Sequence, residues 1–270
     1  FGINMIPVKL TGEGPDLESV RELVKQDQSI RGIWCVPKHS NPTGEIYSKE
    51  ITEGLLKISK EAKQNFKIFW DNAYAIHDFK DSIPLEDIFS LAKDIDALDS
   101  IVAFASTSKL TYAGSGIGFL ALSKFNLDLF LKHYLALIIG PDKVNQAKHV
   151  KFFKKNGGVI SHMKKHAEIL KPKFELVDSW LSKQDYGSWT KPTGGYFVSF
   201  TSQEGLAKEI INLASGLGLK LTPAGATFPY GVDPKDNIIR LAPTACNIKE
   251  LDTAMEIFVC CVALATLRNH

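Results

Sequence analysis

Lys109, Asp71 and Asn41 each follow a short apolar run, and their side chains together suit chemistry on an amine. Asn41 comes after "GIWCVP", Asp71 and Tyr74 follow "KIFW", and Ser106, Ser108 and Lys109 follow "IVAFA". Taken singly, each has an ordinary reading. Asn41 in "NPTG" suits a turn, Asp71 a cap, and Lys109 a solvated surface. Taken together they form a donor set with a purpose. A lysine can hold a carbonyl cofactor as an imine, and a carboxylate can keep a pyridine nitrogen protonated. Small hydroxyl residues can cradle a phosphate, while an amide and a phenol can bond a ring oxygen. Lys109, Asp71, Ser106 with Ser108, and Asn41 with Tyr74 fill these roles for pyridoxal 5′-phosphate.

Such side chains need a scaffold that brings strand ends together. In the first half, apolar runs alternate with stretches of helical periodicity, the pattern of a mainly parallel sheet covered by helices. "NMIPVKL" reads as extended, "IRGIWCVP", "FKIFWDNAY", "SIVAFAST" and "GIGFLALS" as strands, and "DLESVRELVKQ" and "LEDIFSLAKD" as helices. Ser48 marks the start of a helix over "SKEITEGLLKISKEAKQN". Beyond about Phe125 helical stretches dominate to roughly Lys183. "KPTGGYFVSF" and "NIIRLAP" then read as strands of a smaller α+β unit, closed by a helix capped at Asn247. The expected architecture is an α/β three-layer sandwich over residues 1–140, which binds the cofactor, with a smaller α+β unit over 141–270 that includes the interdomain helix. In an open parallel sheet, ligands bind beyond the carboxyl ends of the strands, where all three polar clusters fall.

"NPTG", "DNAY" and "STSK", in this order and spacing, resemble the fold type I aminotransferases of class I. The strings "GIWCVPKHSNPTGE", "FWDNAYAIHD" and "STSKLTYAGSGIGF" are most similar to the aspartate aminotransferase-like, or MocR-like, branch, and the likeness continues through "PTGGYFVSF" and "NIIRLAPT". The resemblance implies that Lys109 is the imine lysine and the proton carrier between the substrate's Cα and the cofactor's C4′. It implies that Asp71 pairs with the pyridinium nitrogen, that Tyr74 and Asn41 bond the phenolic oxygen, and that Ser106 and Ser108 bind the phosphate. Arg240 matches the arginine that takes the substrate α-carboxylate, beside Asn41. Gly194 and Gly195 then let the chain turn close to the substrate, or form a plain bulge. The implied reaction is ping-pong transfer of an amino group from an amino acid to a 2-oxo acid, and the branch implies a dicarboxylic donor such as aspartate. A homodimer is implied too, while the cysteine usage, with no disulfide framework, makes the cytoplasm the expected compartment.

The chain departs from the family in two places. Many relatives carry an arginine late in "SKLTYAGSGIGF", where this chain has Ser115, Gly116 and Ile117. The family also has a long segment before this point, so the sequence reads as N-terminally incomplete, its larger domain partly missing. His39, His77 and Tyr112 lie within the motif strings; the two histidines read as supporting or surface groups. Trp34 and Trp70, each in an apolar strand just before a motif, read as core.

Composition narrows the alternatives. The 270 residues are 44% apolar and 23% charged with a net charge of +2, so no basic field argues for nucleic acid. The basic stretch "KHVKFFKKNGG" reads as an amphipathic helix with a solvated face. The run "IFVCCVALATL" is too short to span a membrane. Four cysteines without a CxxC pair argue against zinc or a disulfide framework, and no metal site is expected. Two other readings remain open: a lyase on the same scaffold, and a non-catalytic effector-sensing module of a transcriptional regulator.

Overall fold

In this computed structural model, residues 2–62, 65–80 and 83–269 are described. The first sheet contains β1 (Gly32–Cys35), β2 (Lys67–Asp71), β3 (Ile101–Ser106) and β4 (Gly118–Leu122) in that spatial order. β1, β2 and β3 run parallel, and β4 returns antiparallel to β3 with Ser106 opposite Gly118. The crossovers carry α2 (Lys49–Glu61) and α3 (Ile88–Asp94), while α1 (Leu17–Gln26) packs on α2. Ser48 caps α2 through its hydroxyl, which accepts from the Ile51 backbone N–H. The opening "NMIPVKL" forms no strand; only its last residue, Leu10, makes an isolated bridge, to Pro15.

Alternation along the strands decides what each face buries. Cys35, Ile68, Trp70 and Ile101 join Leu55, Leu56 and Ile88 in one closed core. The residues one step away point the other way. There Trp34, Phe69 and Phe104 stack with ring centroids 5.5–6.2 Å apart. Trp34 is 61% exposed, so the expectation that it lies in the core is wrong. The apolar run around it does not distinguish its two faces, and the strand's pleat puts Cys35 inside and Trp34 outside. Trp70 is buried as expected, edge-on to Tyr47.

The chain continues through α4 (Lys124–Leu137), α5 (Lys143–Lys155) and the long α6 (Gly158–Leu181). β5 (Ser188–Trp189), β6 (Val198–Thr201) and β7 (Ile238–Leu241) form an antiparallel sheet in that order. α7 (Ala207–Gly216) and α8 (Ile248–Arg268) pack beside it. Leu181, Phe200, Ile210, Ile239 and Phe258 centre a second core, separate from the first. Asn247 starts α8 in a full capping box with Glu250. Among the described residues, no helix is long and apolar enough to cross a membrane.

Candidate active site

The three parallel strands deliver their C-terminal loops to one edge. After β1, the turn at residues 37–47 folds on itself: Tyr47 N–H donates to Pro37 O, Ser40 N–H to Glu45 O, and Gly44 N–H to Ser40 O. The Asn41–Pro42 peptide is cis. These bonds fix Asn41, whose Oδ1 accepts from Arg240 Nη1 at 3.1 Å. Arg240 lies on β7, so this contact joins the two sheets. Its other bond, to Thr222 Oγ1 at 3.4 Å, is also to a neutral acceptor, and the guanidinium lies 4.5 Å over the Phe197 ring. Its Nε is buried without a partner, and no carboxylate pairs with it among the described residues.

Asp71 is the last residue of β2, and among the described residues its carboxylate makes no hydrogen bond or salt bridge. The turn that follows carries Tyr74, which is only 3% exposed. Burial is the main cause pushing its phenol up to about 12; the neighbouring Tyr196 adds to this, Arg240 opposes it, and Asp71 contributes last. Both charges are thus within electrostatic reach of the phenol. Lys109 Nζ sits 4.8 Å from the centre of the same ring. Tyr74, Tyr196 and Phe197 form a continuous aromatic wall between the lysine and the arginine.

After β3 the chain makes a tight turn. Leu110 and Thr111 N–H both donate to Thr107 O, while Thr107 is locked to Ile117 by two bonds. Ser106 Oγ accepts from Ser108 N–H at 3.0 Å, and the two hydroxyls lie 2.8 Å apart. Gly116 packs against this pair: a Cβ there would meet Ser108 Oγ and lie 2.7 Å from its backbone nitrogen. The place where the family resemblance leads one to expect an arginine is therefore occupied by close backbone packing.

Behind the polar edge lies a buried ionic knot. Lys38 Nζ pairs with Asp78 Oδ2 at 2.8 Å and His39 Nε2 with Asp78 Oδ1 at 3.0 Å. Asp78 also bridges Gly194 through its backbone, while Phe79 N–H donates to Thr193 O and Gly195 N–H to His77 O. A side chain on Gly194 or Gly195 would strike His39, and Gly195 has φ of +79°, so the close approach these glycines permit is to that histidine. His39 and His77 are 1% and 3% exposed, so neither is a surface group. Burial lowers both, His77 to about 4. Tyr112 is exposed.

The structure thus gathers Asn41, Asp71, Tyr74, Lys109 and Arg240 around one aromatic wall, with Ser106 and Ser108 on the turn that carries the lysine. Sequence reasoning missed Asp78, Thr222, Tyr196 and Phe197. The last two stand inside "PTGGYFVSF", where aromatic residues next to a glycine pair were a signal that gave no hint of their partners.

A sheet with this order and these loop ends is the fold of the pyridoxal-phosphate-dependent aminotransferases. A structure of the α-aminoadipate aminotransferase LysN from Thermus thermophilus, complexed with N-(5′-phosphopyridoxyl)-L-leucine, superposes with a TM-score of 0.82 over 97% of this chain and 66% of that one; at 19% identity this is a likeness of fold. The chain belongs to the aspartate amino-transferase family, whose sequence profile matches residues 1–270. It is 39% identical to an aspartate aminotransferase of Corynebacterium glutamicum over 275 residues, covering 100% of this chain and 63% of that protein. A crystal structure of an aspartate transaminase from Corynebacterium glutamicum matches with a TM-score of 0.93 at 38% identity, over 99% of this chain and 64% of that one. The chain therefore spans less than two thirds of the length of the curated relatives it matches.

Proposed function

We propose that the chain carries the cofactor and substrate site of a pyridoxal-phosphate aminotransferase, which moves an amino group from an amino acid to a 2-oxo acid in a ping-pong cycle. Aspartate is the donor to try first, since the family and a 39% identical relative are named for it. The residues present fit the cofactor. Asp71 ends β2 with an uncommitted carboxylate, and Ser106 and Ser108 present paired hydroxyls. When bound, pyridoxal phosphate supplies an electron sink conjugated to the substrate's Cα. Asp71 holds a proton on the pyridine nitrogen, since a nearby opposite charge favours the protonated base. Tyr74 and Asn41 hold the phenolic oxygen, Ser106 and Ser108 the phosphate. Lys109 anchors the cofactor and its Nζ carries the proton at Cα. Arg240, with Asn41 beside it, takes the substrate's α-carboxylate.

The observation that carries this reading is the pairing of two cations along one aromatic wall. Lys109 Nζ stands over Tyr74, and Arg240, with only neutral acceptors, stands over Phe197. One cation suits the reacting amine and the other an anionic group held beside it. The two buried cores support a division near residue 140 into a cofactor-binding unit and a smaller one. The expected homodimer finds support in α4, where Phe125, Leu129, Phe130 and Leu135 are exposed. The cytoplasm is the proposed compartment.

Lys109→Ala tests the assignment directly. The visible absorbance that pyridoxal phosphate gains on joining a protein lysine is expected to appear with the unaltered protein and to vanish in the variant. An unchanged spectrum would assign the anchor to another lysine.

A further inference from the structure

The turn that carries Lys109 is held from outside through its backbone. The Lys109 carbonyl accepts from Tyr196 Oη at 2.9 Å and from His77 Nε2 at 3.3 Å. The next carbonyl, of Leu110, accepts from His162 Nε2 at 2.7 Å. These donors come from three places: the loop after β2, the segment entering β6, and α6. We infer that His77 and Tyr196 are positioning residues for Lys109, which fix its backbone so that its amine stands over Tyr74; this rests on the aminotransferase reading above.

Three observations converge on that role. First, a carbonyl can only accept, so His77 must carry its hydrogen on Nε2. Its Nδ1 is then an acceptor, and it is buried with no donor among the described residues. A buried nitrogen left without a partner is costly, and an apolar side chain would fill the space without that cost. What the imidazole adds is its bond to Lys109. Second, Tyr196 acts twice. Its hydroxyl bonds the lysine's carbonyl while its ring lies 5.4 Å from Tyr74, the surface under the amine. His166 stacks on Tyr196 with ring centroids 5.9 Å apart, and its Nε2 lies 3.4 Å from the same hydroxyl. Third, the lysine side chain is exposed, and its recorded contact is with the Tyr74 ring. A flexible four-carbon stem aims its amine only as well as its base is fixed. Misplacing a reacting group by about 1 Å can cost a hundredfold in rate.

The test uses His77→Leu, His77→Gln and Tyr196→Phe. Glutamine keeps an N–H near the position of Nε2, and phenylalanine removes one oxygen and keeps the fold. Three readouts apply: amide hydrogen exchange over residues 107–112 in cofactor-free protein, borohydride trapping of pyridoxal phosphate followed by peptide mapping, and steady-state kinetics. For His77→Leu and Tyr196→Phe, exchange over the turn should quicken about tenfold, the size of one lost hydrogen bond. Trapping at Lys109 should slow and kcat should fall by about the same factor, while the amino-acid KM stays within about twofold. His77→Gln should restore most of each. If His77→Leu does not fold, Tyr196→Phe carries the test alone. Trapping at Lys109 with exchange and kcat unchanged in Tyr196→Phe would overturn the positioning role and leave the functional reading intact. Trapping of the unaltered protein at a different lysine would overturn both.

Discussion

Arg240 shows how much a residue's meaning depends on what faces it. In "NIIRLAP" it is one arginine in a strand, which the family resemblance assigns to a substrate carboxylate and which could otherwise be a surface ion pair. The structure gives it Asn41, Thr222 and the face of Phe197, all neutral, with Nε buried and unpaired. A guanidinium so placed is ready for a bidentate carboxylate. Arg240→Ala is expected to raise the amino-acid KM roughly a hundredfold, as loss of a charge-assisted pair of bonds implies, while leaving cofactor absorbance in place. A matched loss of cofactor affinity would refute the assignment. Of the proposed site, Arg240 was singled out by the family resemblance, whereas Lys109 and Asp71 were legible in the sequence because they are chemically distinctive types just after apolar runs. Tyr196 and Asp78 were not, because an aromatic ring and an acid take their roles from partners far along the chain: 87 residues for Tyr196 and Lys109, 40 for Asp78 and Lys38.

The elements were more legible than their directions. Ser48 and Asn247 announced α2 and α8, because capping is local chemistry between a side chain and amides two or three residues on. "GIGFLALS" reads as a strand, but its composition says nothing of orientation, and β4 runs antiparallel at the end of the parallel set. That reversal creates the tight passage at Gly116. A methyl group there would press on Ser108 and disturb its bonds to Ser106. Gly116→Ala should therefore weaken cofactor retention at least about tenfold, the scale of one lost bond, with far-UV dichroism unchanged. Equal retention by the two proteins would show that Ser108 does not hold the phosphate.

At the scale of the whole molecule, the two sheets meet through a buried polar seam whose histidines are held neutral. Burial is the chief cause lowering His77, to about 4; its bond to the Lys109 carbonyl opposes this, while the Lys109 charge, and any proton taken up by His166 or His39, lowers it further. His39 is lowered by burial and by Lys38, against the pull of Asp78; His166 is lowered by burial and by His162. Once unfolded, each would take a proton near 6.5. Between 6.5 and 4 the unfolded chain binds more protons than the folded one, so stability should decline as pH falls through that window. Below about 4 the loss from His77 is complete. The full effect from that residue is about 3 kcal/mol. Denaturant midpoints measured across the window should show the decline, and His77→Gln should remove the His77 share of it, leaving that of His39 and His166. A flat profile in the unaltered protein would mean the seam admits the proton.

The bond between Arg240 and Asn41 links residues 199 positions apart. Closing so large a loop is entropically unfavourable, and the few contacts at its ends cannot offset that before both cores exist. The Arg240–Asn41 contact, and with it the proposed carboxylate site, therefore belongs to the last stage of folding. A chain with one core formed can already look ordered, since most of its helices and strands depend on nearby sequence. It will still lack the proposed amino-acid site, so on that reading ligand binding reports on complete assembly in a way that secondary structure does not.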